Sequence, residues 1–325
     1  MDRPYVSIVL PVFNEVESLD PLFDEIEQVM TGLGRTFEVI CCDDGSTDGS
    51  KEKLLARASS DDRYRLIFLV RNYGQTAALD AGFRVAEGEV IIPMDADLQN
   101  DPADIPKLLA RLEQGADLVS GWRASRKDAF LTKTLPSMIA NRLVVSRVTG
   151  VNLHDYGCTL KAYRASFLKQ FHLYGEMHRL IPAYVKWAGG VVVEEKVNHR
   201  ARTFGKSKYG LSKTFRLILD LLTVRFLLGY STKPLYFIGR YGLAAIGLGC
   251  LSLTWTIVKK ILWHYPLYTD PFFLVSIVLF LGGFQILFSG LLAELSMRTY
   301  FESRDRAPYM VARTVNIETD RFRMV

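Results

Sequence analysis

The chain has 325 residues, 49% hydrophobic and 23% charged, with a formal net charge of +5. The charged share is that of a soluble domain, so the apolar excess must be concentrated in particular segments. Basic residues interleave with acids and no nucleic-acid motif is present, which excludes a nucleic-acid binder, while the modest positive balance suits an anionic membrane surface and anionic substrates.

Tyr5-Val6-Ser7-Ile8-Val9-Leu10 is an apolar run ending at Pro11 and followed by Asn14-Glu15, the pattern of a strand covered on both faces. No signal peptide is expected ahead of it. Helical spacing from about Glu17 to Met30 leads to a second such strand, Phe37 to Cys42, which ends in Asp43-Asp44-Gly45-Ser46. Arg65 to Val70 repeats the plan and runs into Arg71-Asn72-Tyr73-Gly74-Gln75, then a helix near Thr76 to Val85. Val90-Ile91-Ile92-Pro93 delivers Met94-Asp95-Ala96-Asp97. Strands alternating with helices predict an α/β fold with a parallel sheet. Ligands bind such sheets outside the carboxyl ends of the strands, and here each of those ends carries polar groups: Glu15, Asp43 with Asp44, Asn72 with Gln75, Asp95 with Asp97.

Asp95 and Asp97 are the most informative of these. Two carboxylates so close repel each other unless something positive neutralises them, and hard oxygen ligands suit Mg²⁺ or Mn²⁺ rather than zinc. A diphosphate bound to that cation would complete its shell. Gly45-Ser46-Thr47-Asp48-Gly49 lacks the Gly-Lys-Ser/Thr ending of a P-loop. His154, His172 and His178 lack metal-ligand spacing, and the four cysteines read as reduced packing residues, Cys41 and Cys42 being adjacent in a buried strand.

The apolar excess lies after residue 210. Tyr241 to Val258 is free of charge between Arg240 and Lys259-Lys260, and Pro271 to Ala293 is free of charge up to Glu294. At about 1.5 Å per residue these span roughly 27 and 35 Å, enough for a hydrocarbon core of about 30 Å. The connection 259–270 is too short for a domain, so a transmembrane hairpin is predicted. Arg216, Arg225, Lys233 and Arg240 precede it, Arg298, Arg304, Arg306 and Arg313 follow it, and Lys259 and Lys260 lie in the connection, which puts both termini in the cytoplasm. Leu211 to Gly229 reads as an amphipathic helix with Lys213, Arg216 and Asp220 on one side, suited to the headgroup layer or to packing on the preceding domain.

Four motifs taken in order, Pro11-Val12-Phe13-Asn14-Glu15, Asp43-Asp44-Gly45-Ser46-Thr47-Asp48, Arg71-Asn72-Tyr73-Gly74-Gln75 and Asp95-Ala96-Asp97-Leu98-Gln99, resemble those of the family 2 glycosyltransferases of GT-A fold. Asp155-Tyr156-Gly157-Cys158 and Phe204-Gly205-Lys206-Ser207-Lys208-Tyr209 narrow the likeness to the polyisoprenyl-phosphate glycosyltransferases, a group containing dolichol-phosphate mannose synthases, undecaprenyl-phosphate glucosyltransferases and the undecaprenyl-phosphate aminoarabinose transferase. The resemblance implies a Rossmann-like, mostly parallel sheet flanked by helices. It also implies inverting transfer of a sugar from a nucleotide sugar to a polyprenyl phosphate. A UDP-sugar such as UDP-glucose is favoured over GDP-mannose, undecaprenyl phosphate is the favoured acceptor, and a bacterial inner membrane is the favoured location. A GDP-mannose-dependent mannose synthase and a non-catalytic membrane scaffold are the alternatives.

Roles follow from that likeness and from charge. Asp97 is expected to coordinate the metal directly, with Asp95 and Gln99 near metal, ribose or sugar. Pro11, Asn14, Glu15, Asp43, Asp44, Asn72, Gln75 and Arg202 are expected around the nucleotide sugar. Arg123, Lys133, Ser137 and Arg200 would receive the acceptor phosphate, and Asp155 would orient the acceptor or take its residual proton. The loop from Arg200 to Tyr209 is expected to close over bound nucleotide. Homo-oligomers are expected, with Gly239, Gly242, Gly247 and Gly249 available for close helix contact. The implied organisation is a cytoplasmic catalytic domain at 1–210, an interfacial helix at 211–232, two membrane helices at 233–294 and a cytoplasmic tail at 295–325.

Overall fold

The computed structural model describes residues 3–124, 151–170, 173, 177–179, 181–200, 234–302 and 309–317. Lys133, Ser137, Arg202, His172, the predicted helix at 211–232 and the loop beyond Arg200 lie outside the described residues.

The apolar runs form strands as their pattern requires: β1 (Val6–Val12), β2 (Phe37–Asp43), β3 (Tyr64–Leu69) and β4 (Val90–Pro93) are buried almost throughout, because helices cover both faces. Between them run α1 (Leu19–Leu33), α2 (Ser50–Ser60) and α3 (Gln75–Val85). α1 buries Leu19, Leu22, Phe23, Ile26 and Met30, a single stripe at helical spacing, and ends at Gly34 with φ +62°, a left-handed cap that glycine adopts without strain. α3 packs so closely on the sheet that a Cβ on Gly82 would lie 2.4 Å from Val9 Cγ1 and 2.9 Å from Cys42 Sγ. α4 (Ile105–Glu113) buries Ile105, Leu108, Leu109 and Leu112 and leads to β5 (Leu118–Trp122). β6 (Lys161–Arg164), α5 (Ala165–Leu168), α6 (Ile181–Trp187) and β7 (Val192–Lys196) follow.

The sheet is mixed, with eight strands in the order β7-β5-β6-β4-β1-β2-β3-β8, where β8 is Val311–Val315. β4, β1, β2 and β3 run parallel, so their carboxyl ends share one edge, as the alternating pattern predicted. β6 enters antiparallel between β4 and β5, and β8 closes the other edge antiparallel to β3. The segment expected as a tail at 295–325 contains β8, so the chain after the second apolar helix re-enters this sheet. Asn316, at φ +58°, donates through Nδ2 to Ala58 O and Tyr64 O, and Tyr309 donates from its hydroxyl to Asp80 at 3.0 Å. Inside the sheet, Glu38 and Arg65 are 4% and 8% exposed and ion-pair at 2.5 Å, so the buried charges compensate one another.

The chain divides into two compact units, the sheet with its helices and a second unit containing the apolar helices. α7 (Pro234–Trp263) and α8 (Pro271–Glu302) form an antiparallel hairpin, and Ile238–Trp263 and Pro271–Ala293 are long and apolar enough to cross a membrane. Gly242 and Gly283 let the two backbones meet: a Cβ on Gly242 would stand 2.8 Å from Gly283 O and 2.9 Å from Leu287 Cγ. Gly242 and Gly249 therefore serve contacts within the hairpin, whereas a Cβ on Gly247 would meet open space. At the closed end Lys259 pairs with Asp270 at 3.2 Å under the Trp255, Tyr265 and Phe272 rings, and Asp270 also accepts from Phe272 N.

Candidate active site

Four strand ends build the site. At the end of β1, Asn14 takes a left-handed conformation (φ +57°) and accepts from Thr47 N at 2.8 Å while its own N–H donates to Ser46 Oγ. Glu15 N donates to Ser50 Oγ, and the Glu15 carboxylate accepts from Ser18 Oγ at 3.1 Å. Pro11 pairs in register with Cys42, one residue ahead of Asp43. At the end of β2, Asp43 accepts from Ser46 N, and Asp44 accepts from Tyr73 N at 2.7 Å and Gly74 N at 2.8 Å. Burial raises the pKa of Asp44, against those two backbone donors. Gly45, at φ +75°, is required because a Cβ there would lie 2.8 Å from the Arg71 carbonyl carbon. Asp44 thus fixes the loop carrying Asn72, an exposed residue, and aims the start of α3 across the strand ends.

From that helix start, Gln75 donates through Nε2 to Asp95 Oδ1 at 2.7 Å, and Thr159 Oγ1 donates to Asp95 Oδ2 at 2.8 Å. Asp95 N donates to Asn100 Oδ1. Burial, then repulsion from Asp97, pushes the Asp95 pKa up to about 6. Asp97 is 7% exposed and accepts from Gln99 N at 3.1 Å, and the intervening Leu98 has φ +62°. This tight turn keeps both carboxylates at the mouth of β4.

Beyond it, Arg123 at the end of β5 forms a bidentate pair with Asp155, Nε to Oδ2 at 2.6 Å and Nη2 to Oδ1 at 3.0 Å. Asp155 also accepts from Gly157 N, and its own N–H faces Glu194, which grips the neighbouring His154 ring at 2.8 Å. His154 stacks on Trp122 with ring centroids 4.3 Å apart. Arg200 N donates to Gln99 O, bringing the start of the basic loop beside the Asp95 turn, but the Arg200 guanidinium pairs with Glu25 and Asp101 at 2.8 and 2.7 Å.

The structure therefore assembles Asp95, Asp97, Gln75 and Gln99 around one turn, Arg123 and Asp155 in one ion pair, and Asn14, Glu15, Asp43 and Asp44 in the loops of β1 and β2. Thr159, Asn100 and Lys161 stand outside the sequence motifs, and His178 was considered only for metal-ligand spacing. Thr159 lies one residue past the Asp155-Tyr156-Gly157-Cys158 motif. His178 shares a short contact with Thr76 (2.7 Å) and lines a small cavity with Tyr156, Thr159 and Lys161. Cys41, Cys42 and Cys158 are buried free thiols, and burial pushes Cys158 up to about 11.

Among the described residues no group of three or more His, Cys, Asp or Glu side chains is positioned to enclose a metal. Asp95 and Asp97 supply only carboxylate oxygens, and they repel each other. That donor set fits a hard divalent cation whose remaining positions are filled by water and ligand phosphates.

Fold and site define a class: an α/β protein whose polar side chains crowd the carboxyl edge of its parallel strands, with paired carboxylates at the end of β4. The chain belongs to glycosyl transferase family 2, whose model matches residues 7–171. It is 43% identical over 319 residues to the dodecaprenyl-phosphate galacturonate synthase of Rhizobium johnstonii, covering 95% of this chain and 92% of the relative. It is 37% identical over 319 residues to the undecaprenyl-phosphate 4-deoxy-4-formamido-L-arabinose transferase of Pseudomonas aeruginosa, covering 96% and 92%. The glucosyl-3-phosphoglycerate synthase of Mycobacterium tuberculosis, crystallised with Mn²⁺, UDP and phosphoglyceric acid, shares the fold with a TM-score of 0.53 at 19% identity, over 70% of this chain and 79% of that one. These likenesses make the GT-A architecture a finding, and the relatives in sequence are polyprenyl-phosphate sugar transferases.

Proposed function

We propose that this chain transfers a sugar from a UDP-sugar to a polyprenyl phosphate, undecaprenyl phosphate being the favoured acceptor, at the cytoplasmic face of a bacterial inner membrane. The observation that carries this reading is the Asp95–Asp97 turn, braced by Gln75 and Thr159 and accompanied by the Arg123–Asp155 pair. In the reaction an acceptor phosphate oxygen forms the bond to the anomeric carbon as the bond to the diphosphate breaks, with inversion. Asp97 and Asp95, with Gln99 beside them, would hold Mg²⁺ or Mn²⁺, which when bound stabilises the charge of the leaving diphosphate. Gln75 and Thr159 keep the Asp95 carboxylate in place. Asn14, Glu15, Asp43, Asp44 and Asn72 shape the loops that receive base and ribose.

A phosphate acceptor is ionised near neutral pH, so the transfer makes little demand on a general base. Asp155 already directs both oxygens at Arg123, and its role is to orient that guanidinium toward the acceptor phosphate. Lys133, Ser137 and Arg202 remain in the proposal as further phosphate and nucleotide contacts. The membrane topology has support from connectivity: the chain leaves the sheet after β7 and returns to it in β8, so two crossings by the hairpin keep the strands on one side.

The test is to incubate the full chain in detergent with undecaprenyl phosphate, Mn²⁺ and a panel containing UDP-galacturonate, UDP-glucose and GDP-mannose, following nucleotide release and lipid mass. The expected result is one glycolipid product that EDTA suppresses and that Asp97→Asn lowers by about 100-fold or more. Retained biological function in Asp97→Asn would favour the scaffold reading instead.

A further inference from the structure

Lys161 is a buried lysine to which the proposed reaction assigns no task. It opens β6 at 2% exposure, and burial pulls its pKa down, so the fold holds this charge at a penalty that a methionine of similar length would avoid. The ammonium donates to the backbone carbonyl of Cys158 and, at 3.4 Å, to that of Tyr156. Directly opposite Lys161 in the β5–β6 ladder stands Ser120, whose buried hydroxyl has no hydrogen-bond partner among the described residues. Opposed side chains in such a ladder have Cβ atoms about 5 Å apart, so an acceptor stood within easy reach. The ammonium is instead directed at the turn.

Both of those carbonyls belong to the turn from Asp155 to Thr159. One end of that turn carries Asp155, which grips Arg123, and the other carries Thr159, which donates to Asp95. The turn therefore joins Arg123, held at its Asp155 end, to Asp95, held at its Thr159 end. Gly157 within it has no side chain with which to brace the loop.

We propose that Lys161 is a positioning residue for the transfer: by tying the Tyr156 and Cys158 carbonyls from beneath, it sets the separation between the Arg123–Asp155 pair and Asp95. The inference rests on the transferase reading given above. It predicts that loss of the ammonium misplaces the acceptor-side cation relative to the donor-side carboxylates while each half stays formed. Turnover should then fall with little change in nucleotide binding.

The experiment compares wild type, Lys161→Met and Lys161→Arg as full chains in detergent, measuring thermal unfolding, the affinity for UDP with Mn²⁺, and kcat and KM with the donor that wild type accepts. Lys161→Met should fold, bind UDP within about threefold of wild type, and lose about 100-fold in kcat, the usual size of effect for a misplacement on the order of 1 Å. Lys161→Arg, which still donates to both carbonyls, should recover most of that loss. Equal kcat in wild type and Lys161→Met would overturn the inference. So would Lys161→Met and Lys161→Arg both losing the fold along with activity, which would make the lysine purely structural. If Lys161→Met alone fails to fold, Lys161→Leu replaces it, since it too removes the donor, and the same kcat comparison decides. Absence of transfer by wild type with every donor would count against the transferase reading itself, a separate outcome.

Discussion

The sheet unit and the hairpin use similar apolar side chains in opposite ways. In β1, Val6, Ile8, Val9 and Leu10 are all at 0% exposure, and α1, α3 and α4 turn their apolar stripes onto the same sheet. In α7 and α8 the large hydrophobic residues point outward: Leu251 and Leu281 are each 68% exposed. Both helices are long and apolar enough to cross a membrane, where hydrocarbon would cover such a band. Water drives the sheet together; in hydrocarbon that force vanishes, and close van der Waals contact at glycines takes its place. Glycine therefore appears at closest approach in both units, Gly82 beneath Val9 and Gly242 against Gly283. Buried charge obeys one rule in both, because Glu38–Arg65 and Lys259–Asp270 each neutralise themselves.

The comparison breaks most visibly at the sheet's charge pair. Glu38→Gln removes the charge facing Arg65 and puts an amide donor where an oxygen accepts from Arg65, while the remaining amide oxygen can still accept from Ser7 Oγ and Glu87 N. Breaking a buried pair from one side costs about 3–5 kcal/mol, and chemical unfolding of the full chain in detergent should show a loss of that order in the sheet transition. Gly242→Leu makes the corresponding break in the hairpin. Its side chain would overlap Gly283 and Leu287, at about 1–3 kcal/mol for overpacking. Disulfide crosslinking of cysteines placed across α7 and α8 should drop in Gly242→Leu and stay unchanged in Gly247→Leu, whose Cβ meets nothing within 4 Å. Tyr309→Phe tests the chain that returns from one unit to the other. It deletes the hydroxyl donated to buried Asp80, a loss of about 1–2 kcal/mol, and hydrogen exchange in β8 should quicken.

Legibility followed the same division. β1 to β4 were readable because strands buried on both faces are continuous apolar runs, and the two apolar helices because nothing else in the chain stays uncharged so long. An acidic pair at a loop start is common, so Asp95 and Asp97 stood out only through the polar strand ends that precede them in order. β6 was not: Lys161-Ala162-Tyr163-Arg164 is short and begins and ends in a cation, so no period reveals it, and only its neighbours β4 and β5 make it a strand. β8, at residues 311–315, includes Arg313, counted for its charge, and is a strand because the β3 edge is open to it. Thr159 and Lys161 act through hydrogen bonds to residues far apart in sequence or to backbone carbonyls, and neither leaves a local pattern. Arg200 shows the converse. Its charge and position suggested a phosphate contact, but Glu25, from α1, and Asp101 lie within reach and hold its guanidinium.

The smallest expected effect separates the two units by pH. Asp61, between α2 and β3, is held below the usual carboxylate value of 3.8, first by its hydrogen bonds to the Arg63 guanidinium. Because the folded protein favours the charged form, Asp61 contributes stability above pH 3.8, and that contribution disappears as pH falls through the lower folded value. Acid should therefore weaken the sheet unit through contacts of this kind. In the hairpin, Asp270 is 3% exposed and backed by Lys259. Following the melting of the full chain from pH 5 down to pH 3, Asp61→Asn should start slightly lower and fall less steeply than wild type, the two curves converging at the acid end. Parallel curves across that range would show that Arg63 does nothing for the fold through Asp61. A shift in the helical signal of the hairpin, in place of the sheet transition, would erase the electrostatic distinction between the two units.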